Sequence, residues 1–166
     1  NILEEAARNR GLSTLKQSVD TIESVEGMCR IRTEGKEIKA GHVVIAGGAW
    51  SKAFSDQLSL TIPVGPQRGQ IIHLDVGEAD TSSWPIITGM SDHYVVCWPD
   101  NRVVVGTTRE ANAGYNPITT VEGLMAVMHE ATRVAPGLRT ASIREIRVGL
   151  RPLSRDGMPV IGPLPT

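Results

Sequence analysis

The run from Ile146 to Pro152 constrains the fold more than any other stretch. Ile146, Val148 and Leu150 alternate with Arg147, Gly149 and Arg151, the period-two pattern of a strand with one buried and one open face. The open face presents two guanidiniums with a glycine between them, and a glycine leaves room for a ligand to approach the backbone. Pro152 follows and is expected to limit how far the ladder continues. An arginine on a rigid strand end grips a carboxylate through two parallel hydrogen bonds. A solvated or ion-paired strand arginine has the same spacing, and both readings stand at this point.

A second strong segment lies earlier. His42-Val43-Val44-Ile45-Ala46 is a nearly continuous apolar run after Gly41, as expected of a strand buried on both faces. Gly47-Gly48-Ala49-Trp50-Ser51 then turns into a helix carrying Ala53, Phe54 and Leu58. Strand, glycine turn and helix start make a natural anion site, because backbone N–H groups point outward there with partial positive charge. Many such turns use glycine for geometry alone, so this reading too stays open. Ahead of it, Ile2–Arg10 reads as a helix capped by Gly11. Leu15–Val25 has apolar points at Val19 and Ile22, and Met28–Thr33 alternates into a Glu34-Gly35-Lys36 hairpin turn before Ile38. The abrupt helical start, without cap or leader, reads as the interior of a longer chain.

From Ile62 the character changes. Pro63, Gly65, Pro66 and Gly69 lead into a strand over Gln70–Val76, with further strands at 85–87 and His93–Trp98. Pro99-Asp100-Asn101 turns the chain into Arg102–Thr108. If residues 98 and 103 flank that turn, Tyr94 stands opposite Thr107, either as a functional hydroxyl or as a core tyrosine. Residues 110–118 read as a loop. Thr120–Val134 is an amphipathic helix with Thr120 as N-cap and Leu124, Val127, Met128 and Ala131 along one face. Pro136-Gly137 ends it.

Composition excludes several classes. The chain has 166 residues, 40% hydrophobic and 21% charged, with a formal net charge of −1. That is an ordinary globular balance, with no electrostatic case for nucleic acid or an anionic membrane. No apolar run approaches the length of a membrane span. Cys29 and Cys97 stand far apart and read as free thiols. Four isolated histidines, without partners at ligand spacing, argue against a metal.

Three blocks, in order, resemble the FAD-dependent D-amino acid oxidase family, the group that includes glycine oxidase, monomeric sarcosine oxidase and D-amino acid dehydrogenase. They are Val43–Ser51, then Pro66-Gln67-Arg68-Gly69-Gln70, then Gly149-Leu150-Arg151-Pro152 with Asp156–Gly162. Val103–Thr108 resembles the family's strand followed by Gly-x-Thr. The resemblance covers nearly the whole chain, and the order and spacing of the blocks carry it.

The resemblance implies an α+β chain with a mostly antiparallel substrate-domain sheet and a packed helix, plus partial Rossmann-like remnants of an FAD-binding domain. The expected boundaries are 1–58 for part of the FAD-binding domain, 59–149 for the substrate-binding domain and 150–166 for the return segment. The two FAD-domain flanks are expected to pack together. The implied cofactor is FAD. The implied partner is a small amino acid, with no nucleic acid and no integral membrane segment, and the expected location is the cytoplasm or the inner face of a membrane.

Residue by residue, Arg151 resembles the arginine that binds the substrate carboxylate. Tyr94 resembles an active-site tyrosine, and Arg109 lies at a position facing the substrate side chain. Ala46, Gly47, Gly48 and Trp50 resemble strand-turn contacts to FAD. Arg68, Gly69 and Gln70 resemble the segment beside the isoalloxazine, and Val19 the residue whose backbone meets the adenine. The family's N-terminal glycine-rich fingerprint is not in this sequence, so the chain alone is expected to hold FAD weakly. The alternatives are a non-catalytic binding module, or a related flavoprotein acting on a 2-hydroxy acid or on modified tRNA; near-neutral charge speaks against the last.

Overall fold

A computed structural model describes residues 2–89 and 92–163. The chain forms two compact units, one running up to Ala46 and joined by Ala53–Ile62, the other made of Gly47–Lys52 and the residues from Pro63 onward.

In the first unit, α1 (Ile2–Arg8) ends in a turn in which Gly11 takes a φ of 93°, a left-handed conformation that glycine adopts without penalty. A three-stranded antiparallel sheet follows: β1 (Val19–Val25), β2 (Met28–Thr33) and β3 (Lys36–Ala40). The β2–β3 turn closes on Thr33 opposite Lys36, with Gly35 at a φ of 80°. Gln57 stitches this unit together, accepting from the Ile22 N–H and donating to the Asp20 carbonyl, each at 3.0 Å.

The Val43–Ala46 run is not a strand. Residues 42–47 carry no regular structure and Val44 is 87% exposed. A strand exists only through ladder hydrogen bonds, and among the described residues none pairs with this run. A 3-10 helix, Gly48–Phe54, replaces the expected longer helix.

The second unit is built on a five-stranded antiparallel sheet. Its strands are β4 (Val64–Asp75), β5 (Ile87–Thr88), β6 (Tyr94–Trp98), β7 (Arg102–Gly106) and β8 (Ser142–Ser154), in the order β5-β6-β7-β4-β8. Helix α2 (Val121–Val134) covers one face. Thr120 caps it, accepting from the Gly123 N–H. Ile72, Leu74, Val103 and Val105 meet Val127, Ala131 and Leu138 in the core. Gly123 is required where the helix crosses β4: a Cβ there would lie 2.1 Å from the Gln70 amide nitrogen.

Two sequence expectations about this sheet are corrected. The β6–β7 register pairs Trp98 with Arg102 and Tyr94 with Gly106, not with Thr107. The turn has three residues, Pro99–Asn101, with Asp100 and Asn101 both left-handed at φ 71° and 59°. The one-residue shift exchanges the faces of β7 relative to β6. The ladder also does not stop at Pro152. It continues through Pro66 opposite Pro152 to Val64 opposite Ser154. Arg68 shows why: its N–H bonds the Glu110 carbonyl, away from β8, so Pro66, two residues earlier, lacks only an N–H that would also point away from β8. Pro152 lies on the edge strand, where proline is tolerated.

Candidate active site

The face of the sheet opposite α2 gathers Arg151 and Tyr94. On β8, Arg151 pairs with Gln67 and Gly149 with Gly69; on β7, Gly106 pairs with both Ile71 and Tyr94. Arg151 lies across Gly69: a Cβ at that position would be 2.7 Å from the Arg151 Nη2. Tyr94 lies across Gly106 in the same way, its hydroxyl 3.0 Å from where a Cβ would stand. Two glycines therefore let a guanidinium and a phenol lie flat against one sheet face, on either side of Ile71.

The half-buried Arg151 is held by neutral groups. Its Nη1 donates to the Gln67 Oε1 and to the Thr108 carbonyl, both at 3.3 Å, and its Nη2 donates to the Thr107 hydroxyl at 2.8 Å. Among the described residues no carboxylate lies within ion-pair distance of it, whereas Arg68, Arg102, Arg109, Arg144 and Arg147 each have one. An oriented guanidinium without a counter-charge is suited to an anionic ligand. Its partners among the described residues are three neutral acceptors and not a carboxylate.

Arg109 is elsewhere. Its Nε is 3.1 Å from the Asp92 carboxylate, with both side chains largely exposed. The pair lies on a cleft of about 460 Å³ at the start of α2, which is also lined by Thr107, Thr108, Glu110 and Glu122. The backbone of Thr107–Thr108 thus serves both places: it walls the cleft and holds Arg151.

Arg68, Gly69 and Gln70 sit together on β4, but the two long side chains turn inward. Arg68 is 8% exposed and forks onto the Glu110 Oε2, with a further bond to the Asn116 carbonyl. Gln70 is fully buried: its amide nitrogen donates to the Glu110 Oε1 at 2.7 Å and its Oε1 accepts from the Thr120 N–H at 2.9 Å. Burial alone would raise the Glu110 carboxyl, but hydrogen bonds from Arg68, Thr108 and Gln70 outweigh it and bring it down to about 2. Any contact of this segment with a ligand therefore falls to Gly69 and the backbone.

Gly47, Gly48 and Trp50 share the second unit with the sheet. Gly48 adopts a φ of 55°, and nothing lies within 4 Å of its missing Cβ. The exposed Trp50 ring is 5.9 Å from Tyr115, whose hydroxyl donates to the Ala49 carbonyl at 2.8 Å. This turn is open and glycine-dependent, and so fits close approach by a bulky anionic cofactor. Val19 opens β1 and the exposed Ala46 lies within the irregular run; both belong to the first unit.

Sequence reasoning missed Gln67 and Glu110. Gln67 touches Arg151 only through strand register. Glu110 had a readable signal, since Thr108 and Glu110 are two apart and an extended chain puts them on one side.

The site thus stands on an antiparallel sheet with a helix on one face and, on the other, an arginine without a carboxylate partner among the described residues. The chain belongs to the family of FAD dependent oxidoreductases of the D-amino acid oxidase type, whose profile matches residues 2–166. FAD is the cofactor of that family.

Among curated relatives, the chain is 34% identical over 98% of its length to the uncharacterized oxidoreductase YurR of Bacillus subtilis, covering 44% of that protein. It is 33% identical over 81% of its length to glycine oxidase of Pseudomonas putida, covering 36% of it. Among solved structures, iminodiacetate oxidase of Chelativorans sp. BNC1 superposes with a TM-score of 0.86 at 34% identity, covering 91% of this chain and 41% of the other. Glycine oxidase of Geobacillus kaustophilus gives 0.87 at 25% identity, with 98% and 44% covered. The chain thus spans less than half the length of these relatives. Among the described residues no helix is long and apolar enough to cross a membrane.

Proposed function

We propose that the whole protein oxidises the C–N bond of a small amino acid of the glycine, sarcosine or D-amino acid type. Within it, residues 1–58 and 150–166 are parts of the FAD-binding domain and 59–149 the substrate-binding domain. The observation that carries this reading is Arg151, a half-buried guanidinium aimed by three neutral acceptors and, among the described residues, left without a carboxylate of its own.

Arg151 grips the substrate α-carboxylate through its remaining N–H donors. Tyr94, across Gly106 on the same face, offers its hydroxyl to the bound substrate and fixes the direction of the Cα–H bond. Arg109 and Asp92 lie on the cleft where a substrate side chain or N-substituent is accommodated. Gly47, Gly48, Trp50 and the backbone at Gly69 are the residues of the second unit that would hold the cofactor. FAD, when bound, supplies the two-electron oxidation by accepting the Cα hydrogen as hydride, and the imino acid released then adds water to give an oxo acid and an amine. The protein's own share is orientation, exclusion of water and neutralisation of the carboxylate, with no strong base required.

The test is steady-state kinetics of the full-length FAD enzyme on glycine, sarcosine, iminodiacetate and several D-amino acids, for wild type and Arg151→Ala. The expected result is turnover of at least one of these, with KM for the best substrate raised strongly in Arg151→Ala while flavin content is kept. Absence of turnover on every one of them, or an Arg151→Ala enzyme with wild-type KM and kcat, overturns the reading.

A further inference from the structure

Arg151 does not aim itself. Its two backbone-side anchors are the Thr107 hydroxyl and the Thr108 carbonyl, and both threonines are buried. A hydroxyl has one proton to give. Thr107 spends its proton on the Thr108 carbonyl at 3.2 Å, which leaves its oxygen free to accept from Arg151. Thr108 spends its own on the Glu110 Oε1 at 2.6 Å and accepts from the Gln70 N–H at 3.0 Å. Glu110 is itself fixed by Arg68 and by the Gln70 amide. The chain of bonds thus runs from a partly buried ion pair on the helix side of the sheet to the guanidinium on the open side, and every hydroxyl in it has a single orientation.

We propose that Glu110 is a positioning residue for Arg151, acting through Thr108 and Thr107 to set the angle at which the guanidinium meets a carboxylate. The inference rests on the reading of Arg151 as the carboxylate clamp. The Glu110 carboxylate bonds not Arg151 but the hydroxyl of Thr108, whose carbonyl is an Arg151 anchor. With Glu110 made neutral, the ion pair to Arg68 is lost and the Thr107–Thr108 segment is free to shift. An ångström-scale shift there is enough to cost roughly ten- to a hundredfold in productive binding.

The experiment uses the full-length FAD-loaded enzyme and a double-mutant cycle on Glu110→Gln and Arg151→Lys, with acetate as a competitive carboxylate probe. Glu110→Gln is expected to raise the acetate Ki and the substrate KM together by about tenfold with kcat little changed, the signature of lost uniform binding. Added to Arg151→Lys it should raise Ki no further, because both act through one guanidinium. An unchanged acetate Ki in Glu110→Gln, or effects that simply multiply in the double variant, overturns the positioning role.

Thr108→Val removes the linking hydroxyl without touching Glu110, and Thr108→Ser restores it. The Ki should rise in the first and return in the second, and a Thr108→Val enzyme with wild-type Ki overturns the proposal even if Glu110→Gln does not fold. A purely structural role would lower Tm in these variants without moving Ki. If Arg151→Lys itself leaves acetate Ki unchanged, it is the clamp reading that has failed, whatever Glu110 does.

Discussion

At one end of the open face of the β4–β8 ladder, Arg151 lies across Gly69 and is held by a glutamine, a threonine hydroxyl and a carbonyl. Four residues along the same strand and on the same face, Arg147 forks onto Glu145 at 2.8 and 2.7 Å. Beneath that pair His73 is 5% exposed, and among the described residues neither ring nitrogen has a hydrogen-bond partner. The two ends share backbone, register and solvent face, yet one leaves its positive charge uncompensated and the other neutralises it. Neutral anchors fix direction without satisfying charge, whereas a carboxylate satisfies charge and removes the reason to bind an anion. The difference lies in the nearest polar neighbour: across the ladder for Arg151, on its own strand for Arg147, which has Ile71 opposite. Gln67 faces Arg151, while Glu145 pairs with His73 and lies two residues from Arg147.

The sharpest break of this contrast is Arg151→Ala in the full-length enzyme. Losing a charge-assisted clamp should weaken carboxylate binding by about 2–5 kcal/mol, or roughly thirtyfold to several thousandfold in acetate Ki. Next comes a pair of glycines. Gly69→Ala would put a methyl 2.7 Å from the Arg151 Nη2 and 3.0 Å from the Thr107 hydroxyl, while Gly149, directly opposite, has nothing within 4 Å of its missing Cβ. The end of a flexible side chain yields more readily than backbone, so Gly69→Ala should fold and raise acetate Ki by about tenfold through a displaced guanidinium. Gly149→Ala should leave Ki near wild type. Equal effects of the two would show that the close approach at Gly69 is not what seats Arg151.

Part of this arrangement was legible in the sequence, and the reasons are local. Thr120 announced itself as a cap because a hydroxyl residue stood immediately before an amphipathic stretch, and Gly35 marked its hairpin. The alternation from Ile146 to Arg151 exposed the open face directly. What was not legible depends on distant partners. The Arg151–Gln67 bond joins residues 84 apart and the Arg68–Glu110 pair residues 42 apart, so neither follows from period or propensity. The register of Tyr94 failed on the turn: a four-residue loop was expected, and Asp100 and Asn101, both left-handed, close it in three residues instead. The Val43–Ala46 run shows the converse. Apolar β-formers supply the capacity for a strand, and only a neighbouring strand makes one.

The two ends should also separate on the pH axis. Burial holds the His73 pKa below its ordinary 6.5, aided by Arg147, Arg102 and Arg144 and opposed by Glu145. An unfolded chain takes up that proton before the folded one does, so this contribution to stability is present above about pH 6.5 and is lost as pH falls below it. Glu110, lowered from 4.5 to about 2, contributes stability fully present above 4.5 and lost progressively as pH falls towards 2. Urea denaturation of the whole protein across this range should show two separate declines. His73→Val should remove the upper one and Glu110→Gln the lower. A single decline abolished by either variant would mean that the two ends are not independent.

The smallest expected effect belongs to Arg147→Ala, and it is the control on which the comparison depends. Arg147 and Glu145 have side chains 55% and 45% exposed, and an exposed pair of this kind contributes little to stability because water and salt screen it. Its removal should leave acetate Ki within about twofold of wild type and the denaturation midpoint at neutral pH nearly unmoved. One consequence remains measurable. Arg147 is the foremost charge holding the His73 proton off, so the upper decline in stability should become shallower in Arg147→Ala, with Glu145 left to favour the imidazolium. A Ki change as large as that of Arg151→Ala would instead mean that both arginines meet the carboxylate, and that pairing with Glu145 does not withdraw Arg147 from ligand binding.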